Sequence, residues 1–232
     1  DKNYKYPWNN KGRSLYELGD YKEALKCSEK ANNLDKKWKW AWYDKGRALY
    51  VLGDYKEALK CFVQTTKIDK KDELAHESKG RCFTRLENYR KAIKCYDKVI
   101  QLNPKYVGSR ISKGFCLSNL SDYMGAHKSY KEALDIDPTN NVILNNIGWT
   151  YHQQRKYLQA LPFYERSIKL NKNYVHVWNS KAVTLYKLKK YPEALFCCKK
   201  AIKLDSTDKE VLDCFKKIKK MIAKQPTKKQ TR

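Results

Sequence analysis

The sequence lacks most of the features that mark membrane proteins, secreted proteins, metalloproteins and enzymes. It contains no apolar run near 18 residues and no signal-peptide pattern, which argues against membrane insertion and secretion. It has no CxxC pair and its four histidines are scattered, so a metal site is not expected. No nucleophile–base pair or phosphate-binding glycine loop stands out. We therefore expect neither catalysis nor a cofactor.

Acidic residues are scarce relative to basic ones. The 232 residues include 50 Lys and Arg against 25 Asp and Glu, which gives a formal net charge of +25. A charge of this size exceeds what solubility requires, and it predicts an acidic partner or a polyanion.

The most regular feature of the chain is a period of 34 residues. Glycine keeps this period five times, Ala182 takes the sixth place, and three further positions stay in phase across all six units. The phased residues are Gly12, Gly46, Gly80, Gly114 and Gly148; Tyr21, Tyr55, Tyr89, Tyr123, Tyr157 and Tyr191; Ala24, Ala58, Ala92, Ala126, Ala160 and Ala194; and Leu34, Ile68, Leu102, Ile136, Leu170 and Leu204. Such self-similarity predicts a repeat array whose neighbouring units share one elongated core.

Each unit is predicted to be two helices joined by a tight turn. Apolar residues of the second unit are spaced by three, four and seven, which is the helical period. Gly53 and Asp54 interrupt the pattern, because glycine ends one helix and aspartate caps the next. Helix A is therefore expected near residues 40–52 and helix B near 55–68. Gly46 lies inside helix A, where we expect it to oppose the small Ala58 of helix B.

The repeat resembles the tetratricopeptide repeat family. The signature residues that carry the resemblance are Trp42, Gly46, Leu49, Ala58 and Phe62 in one unit, and Gly114, Leu117, Ala126, Tyr130, Ala133 and Pro138 in another. The resemblance covers residues 5–208 and implies an all-α fold, a right-handed α–α superhelix with a C-terminal capping helix. The chain departs from the family at the position before the glycine, where lysine usually replaces leucine.

The period also predicts the organisation of the chain. The expected repeats are 5–38, 39–72, 73–106, 107–140, 141–174 and 175–208, followed by a capping helix over 209–223 and a basic, disordered tail over 224–232. Residues 1–8 match residues 35–42 in register, so residues 1–4 are expected to be the remnant of an upstream repeat in a longer protein. An exposed N-terminal repeat face could then stack against a second copy.

The eight cysteines do not form an obvious disulfide set. One repeat position holds Cys27, Cys61, Cys95 and Cys197, and another holds Cys82 and Cys116. Equivalent positions of stacked units lie about 8–10 Å apart, whereas a disulfide needs Cα atoms within roughly 7 Å. We therefore expect small, reduced packing residues in a cytoplasmic protein.

The resemblance also implies that helix A of each unit lines a concave groove in which ligands lie. The position after the glycine holds arginine in the first three units and apolar residues in the last three: Arg13, Arg47, Arg81, Phe115, Trp149 and Val183. Arginine binds carboxylates through two parallel hydrogen bonds, so these three arginines predict a site for an acidic segment. The alternative is that they belong to an ordinary solvated face.

Further candidate ligand residues surround these arginines on the expected inner face. They are Tyr16, Trp40, Tyr43, Tyr50 and Arg85. In the family, asparagines at the place of Asn10 and Asn146 often hold a peptide backbone, and the neighbouring position holds Asn9, Asn145 and Asn179. The carboxylate clamp of chaperone-tail adaptors is absent, because its places hold Asn9, Arg13, Asp44, Leu74 and Ser78.

These observations favour a non-catalytic protein-interaction scaffold that binds an extended, acidic partner segment in its groove. The alternative is binding of single-stranded RNA or another polyanion, since aromatic residues interleaved with Lys and Arg can stack bases and neutralise phosphates. Lysines on helix B are also abundant, and some are placed to pair with glutamate on the same helix, such as Lys26 with Glu23 and Lys60 with Glu57.

Overall fold

A computed structural model describes residues 4–224, and over this range the chain forms thirteen α-helices. Their bounds are α1 Lys5–Glu17, α2 Tyr21–Leu34, α3 Lys39–Val51, α4 Tyr55–Ile68, α5 Glu73–Arg85, α6 Tyr89–Leu102, α7 Val107–Asn119, α8 Tyr123–Ile136, α9 Asn141–Gln153, α10 Tyr157–Leu170, α11 Val175–Lys187, α12 Tyr191–Leu204 and α13 Lys209–Ala223. The expected disordered tail lies outside the described residues except for Lys224, and the expected upstream remnant does so except for Tyr4.

Each helix B begins after a short turn, and in several repeats the turn residues have side chains suited to ending one helix and capping the next. The side chains of Asp20, Asp54 and Asn88 cap α2, α4 and α6 by accepting a hydrogen bond from the amide three residues later. Gly19 and Gly53 supply the positive φ that ends the preceding helix, at 85° and 90°. These local preferences explain the break in the first two repeats, whereas the later repeats adopt a positive φ at the same point with Glu87, Ser121, Arg155 and Lys189.

The chain divides into two compact units, unit 1 over residues 1–122 and unit 2 over residues 123–232. In unit 1 the helix pairs α1–α2, α3–α4 and α5–α6 pack together, and each pair also packs on the helix that follows it. In unit 2 the pairs α9–α10 and α11–α12 pack in the same way, and α13 packs on α11 and α12. The predicted fold class, an all-α solenoid of paired helices with a C-terminal capping helix, is confirmed.

The repeat glycines are needed for packing, although the expected partner of Gly46 is wrong. A Cβ added at Gly46 would lie 2.8 Å from Cε1 of the buried Phe62 ring, rather than against Ala58. The same addition at Gly80 would lie 2.6 Å from Cε1 of Tyr96, which is 1% exposed. The glycine therefore makes room for the ring that helix B inserts, and a side chain there would displace it.

The lysine that departs from the family pattern has a repeated partner. Lys45 forms an ion pair with Glu29 at 3.0 Å, and Lys113 forms one with Asp97 at 2.7 Å, each across to helix B of the preceding repeat. Lys181 and Glu165 repeat the pair in unit 2 at 3.1 Å. Partly exposed pairs of this kind contribute at most about 1 kcal/mol each, but they fix which helix surfaces meet. The lysine thus replaces an apolar contact with an ionic one.

The capping helix covers the last apolar face of unit 2. Val211 and Ile218 are fully buried, and Phe215 and Ile222 pack against the cluster formed by α11 and α12. Asp208 caps the helix by accepting hydrogen bonds from the amides of residues 210 and 211. The predicted stripe of the capping helix is therefore the face that packs.

Candidate functional site

The predicted arginines of unit 1 stack on tyrosines of the preceding repeat. The guanidinium carbon of Arg47 lies 3.9 Å from the centroid of the Tyr16 ring, and that of Arg81 lies 4.9 Å from the Tyr50 ring. Arg85 Nε also donates a hydrogen bond to the Tyr50 hydroxyl at 3.3 Å. Arg47 and Arg81 therefore each stack on a tyrosine of the preceding helix A, and cation–π attraction holds the guanidinium groups in place.

The phased tyrosines at the start of helix B contact the helix-A tyrosines on which the arginines stack. Tyr21 contacts Tyr16 edge to face at 5.1 Å, and Tyr55 contacts Tyr50 in the same way at 5.2 Å. Such ring pairs are favourable beyond their buried area. The invariant tyrosine of the repeat therefore orients the variable tyrosine on which the next arginine stacks.

Five of the predicted ligand residues line one polar cavity of about 210 Å³ in unit 1. The lining residues are Tyr16, Tyr43, Arg47, Tyr50, Val51, Phe62, Ser78 and Arg81. Trp40 lies beside this cavity, because its ring meets Tyr43 edge to face at 6.1 Å and is 39% exposed. Two guanidinium groups and three phenol rings thus share a space large enough for one or two ligand side chains.

Sequence reasoning missed that this face also carries its own acids. Asp44 is 8% exposed and accepts a hydrogen bond from Asn9 Nδ2 at 2.9 Å. Burial raises the pKa of the Asp44 carboxyl, while the hydrogen bond from Asn9 and the charges of Arg13 and Arg47 act in the opposite direction. A buried acid at a position that is polar in every unit could not be recognised without the packing.

The arginines therefore differ in how much of their charge is already compensated. Arg47 lies 3.3 Å from a Glu17 carboxylate oxygen and 3.6 Å from one of Asp44. Within residues 4–224, Arg81 and Arg85 have the Tyr50 ring and hydroxyl as close partners but no carboxylate within ion-pair distance. Arg81 and Arg85 are also exposed. The nearby Glu77 charge acts on Arg81 without forming an ion pair, so both guanidinium groups remain open to a carboxylate of a ligand.

The predicted asparagines fall into two groups. Asn10 is exposed, whereas Asn9 and Asn145 are 2% and 6% exposed and Asn179 is half-buried. The Oδ1 atoms of Asn9, Asn145 and Asn179 are buried without a hydrogen-bond partner. A backbone amide of a bound segment would satisfy such an oxygen. Asn145, Asn146 and Asn179 belong to unit 2, so the structure does not assemble them with the arginines into one described site.

Unit 2 carries neutral aromatic groups at the corresponding positions of helix A. The rings of Trp149 and His152 stack at 4.6 Å with an angle of 4° between their planes. His152 Nδ1 lies 2.8 Å from Thr184 Oγ1. Burial, and to a smaller extent the charge of Lys187, lowers the pKa of His152 to about 4. The imidazole is therefore neutral at pH 7.

Unit 2 also has a larger, mainly apolar cavity of about 660 Å³ between α10, α11 and α12. Its lining includes Leu161, Ile168, Trp178, Leu185 and Phe196, together with the Lys181–Glu165 ion pair. Helix B has exposed apolar side chains in this unit, including Met124, Leu158 and Phe196. On helix B of unit 1, the predicted pairs Glu23–Lys26 and Glu57–Lys60 form instead.

Other kinds of site find no support in the part of the chain that is described. Residues 4–224 contain no group of three or more His, Cys, Asp or Glu side chains arranged to hold a metal ion. No helix among them combines the length and the apolar composition that a membrane span needs. All eight cysteines are free, and seven of them are buried.

Comparison with protein families identifies the repeat. Profiles described as tetratricopeptide repeat match residues 6–37, 40–72, 74–106, 142–174 and 175–208. The chain belongs to the tetratricopeptide repeat family. A comparison with curated protein sequences gives no significant match.

Solved structures with the same fold support this assignment. A tetratricopeptide repeat protein from Parabacteroides merdae superposes with a TM-score of 0.81 at 16% identity, covering 93% of this chain and 84% of that one. A chain of the APC/C hetero-tetramer Cut9–Hcn1 gives 0.74 at 16% identity and 91% coverage, and this chain spans 42% of its length. MamA from Desulfovibrio magneticus gives 0.68 at 20% identity, covering 75% of this chain and 97% of that one. At these identities the likeness concerns the fold.

Proposed function

We propose that this tetratricopeptide repeat protein is a non-catalytic scaffold that binds an extended, acidic segment of a partner protein on the helix-A face of unit 1. Proteins of this family generally mediate protein–protein interactions. The observation that carries the proposal is the pair of exposed arginines, Arg81 and Arg85, which contact Tyr50 and form no ion pair with a carboxylate of residues 4–224. A guanidinium whose position is already fixed loses little side-chain entropy when it binds a carboxylate.

The neighbouring groups fit the same ligand. The cavity of about 210 Å³ next to Arg81 can take a side chain between the Tyr16, Tyr43 and Tyr50 rings. An extended segment spans about 3.3 Å per residue, so three or four residues reach from one repeat to the next. The partner segment is therefore expected to carry acidic residues at that spacing.

The test measures fluorescence anisotropy with a labelled, unstructured peptide of about twelve residues rich in Glu and Asp. An isosteric peptide with Gln and Asn in their place is the ligand control. We expect the first peptide to bind and the second not to bind. Arg81→Glu with Arg85→Glu should weaken binding by about tenfold to a hundredfold, because hydrogen bonds to charged groups contribute about 1.5–3 kcal/mol.

A matched variant separates the proposed site from general charge. Lys22→Glu with Lys56→Glu makes the same change in net charge on exposed helix-B positions of unit 1, and it should weaken binding less than threefold. Equal losses in the two variants would contradict a site on helix A. Labelled single-stranded RNA serves as the competing ligand. RNA binding that keeps a salt slope of about 0.7 per phosphate in the Arg81/Arg85 variant would place the active surface elsewhere and favour a polyanion.

A further inference from the structure

The last repeat differs from the four repeats before it at a position where each of them holds a ring. The second to fifth repeats place Phe62, Tyr96, Tyr130 and Tyr164 in the middle of helix B, and each of these rings is 1% exposed or less. The sixth repeat has Cys198 at this position, and its side chain is also fully buried. Cys198 faces the capping helix rather than another repeat, because α12 packs directly on α13.

A second cysteine lies directly opposite on the capping helix. Cys214 Sγ on α13 is 3.6 Å from Cys198 Sγ on α12. A disulfide bond is about 2.05 Å long, so the two sulfurs must approach by only about 1.5 Å. Neither residue is in phase with the other six cysteines, whose repeat positions place equivalent thiols a helix spacing apart.

We propose that Cys198 and Cys214 are a thiol–disulfide site that, when oxidised, fastens the capping helix α13 to the last repeat. The oxidant required is a low-molecular-weight disulfide such as oxidised glutathione. This site is independent of the proposed ligand face of unit 1. Its effect would be on the C-terminal end of unit 2, where Val211 and Ile218 already hold α13 by burial alone.

The two thiols have distinct chemical roles. Cys214 is half-buried and can be reached by a reagent, whereas Cys198 is fully buried. The hydrogen bond donated by Cys198, together with the charge of Lys217, lowers the pKa of the Cys214 thiol despite its burial. Cys214 is therefore the thiol that attacks first.

The exchange then proceeds in two balanced steps. The Cys214 thiolate attacks one sulfur of the small disulfide, which forms a mixed disulfide and releases one small thiolate. That thiolate takes the proton of Cys198, and the Cys198 thiolate attacks the Cys214 sulfur and expels the second small thiolate, which takes up the proton that Cys214 had released to solvent. Two protein thiols are thereby oxidised to one disulfide, and one small disulfide is reduced to two thiols.

The bond would change the behaviour of the capping helix. It closes a loop across the 15 residues between the two cysteines, which restricts the unfolded ensemble of this end of the chain. A helix that packs on one side only is prone to local opening, so a cross-link there should slow proteolysis of α13 by roughly tenfold.

The test incubates the full chain in glutathione buffers of increasing oxidised fraction, blocks the remaining thiols by alkylation and maps cross-links by mass spectrometry without reduction. We expect a link between the tryptic peptides 191–199 and 210–216, with Cys27, Cys61, Cys82, Cys95 and Cys116 alkylated. The first peptide also contains Cys197, so Cys197→Ser is the matched control. That variant should keep the link, whereas Cys198→Ser and Cys214→Ser should each abolish it.

Limited trypsin digestion supplies the second readout. Oxidised wild type and oxidised Cys197→Ser should lose α13 about tenfold more slowly than their reduced forms, and Cys214→Ser should show no difference. The proposal is overturned if excess oxidised glutathione leaves Cys214 only as a mixed disulfide. It is equally overturned if the link runs through Cys197, or if the link forms as readily in urea as in the folded protein.

Discussion

Unit 1 places arginine after the repeat glycine in its first three repeats and Phe115 in the next, whereas unit 2 places Trp149 and Val183 at that position. Three residues further along, Tyr16 and Tyr50 of unit 1 lie under a guanidinium, whereas His152 of unit 2 is neutral and stacks on Trp149. Exposed lysines occur on helix B of both units, but helix B of unit 2 also exposes apolar side chains such as Leu158 and Phe196.

This difference separates the residues that build the repeat from those that give it chemistry. The phased Gly, Ala and Tyr are alike in both units because they determine how helices A and B meet. The positions between them face outward and can vary without cost to the fold. One scaffold thus presents arginines stacked on tyrosines in one unit and a stacked tryptophan–histidine pair in the other.

If both units share the same helix packing, replacing a repeat glycine should reduce stability by a similar amount in each unit. Gly80→Ala and Gly148→Ala each place a Cβ 2.6 Å from a buried tyrosine ring, so each should lower the free energy of unfolding by about 1–3 kcal/mol. Urea denaturation followed by circular dichroism measures this. Gly108→Ala is the control, because the nearest atom would be 3.2 Å away on Tyr106, and its effect should stay below about 1 kcal/mol. A large loss of unfolding free energy in only one of the two variants would show that the glycine does not have the same role in both units.

The buried histidine should make the stability of unit 2 sensitive to acid. The pKa of His152 is about 4 in the fold, against 6.5 when unfolded, so the unfolded chain binds the extra proton first. Stability is then complete above pH 6.5 and falls as the pH drops toward 4. Between pH 7 and pH 5 we expect a loss of about 1–2 kcal/mol from this residue, after allowing for its partial exposure.

Comparison of His152→Gln with wild type isolates the stability loss that His152 causes between pH 7 and pH 5. The variant should lose less stability than wild type between pH 7 and pH 5 in the same urea titration, while the contribution of His127, whose pKa burial also lowers, remains in both. Lys22→Gln, at an exposed helix-B position of unit 1, should leave the pH dependence over this range unchanged. Identical pH profiles for wild type and His152→Gln would show that the stacked ring is not desolvated.

The acid within the cationic face should weaken its ligand binding. Asp44→Asn removes a carboxylate 3.6 Å from Arg47 and keeps an oxygen to accept the Asn9 hydrogen bond. We expect the acidic peptide to bind about three- to tenfold more tightly, measured by anisotropy at low salt. Glu29→Gln makes the same charge change at the Lys45 pair on another surface and should alter binding less than twofold. Equal gains would mean that only total charge matters.

Much of this molecule could be predicted from sequence because its repeats sample the same interactions six times. Helix A was expected near 40–52 and is Lys39–Val51, and helix B was expected near 55–68 and is Tyr55–Ile68. The in-phase Arg47 and Arg81 were expected on one face with Tyr50 nearby, and all three line one cavity.

What could not be predicted depends on contacts between residues that are not in phase. The burial of Asp44 against Asn9 joins different positions of two repeats, and the Cys198–Cys214 contact joins a repeat to a helix outside the period. The ring opposite Gly46 was missed because Phe62 enters from four residues beyond Ala58. The 34-residue period shows which positions are equivalent between repeats. It does not show which non-equivalent positions are in contact.

The most direct test of the central claim is a charge swap on unit 1. Arg81→Glu with Arg85→Glu should lose the acidic peptide and gain a peptide of the same length with Lys in place of Glu and Asp, which wild type should not bind. The measurement is the dissociation constant of both peptides for both proteins, with the Lys22→Glu, Lys56→Glu variant alongside. A reversal of preference confined to the Arg81/Arg85 variant is the predicted result. Unchanged preference in that variant, or the same reversal in the helix-B variant, would contradict binding at this face.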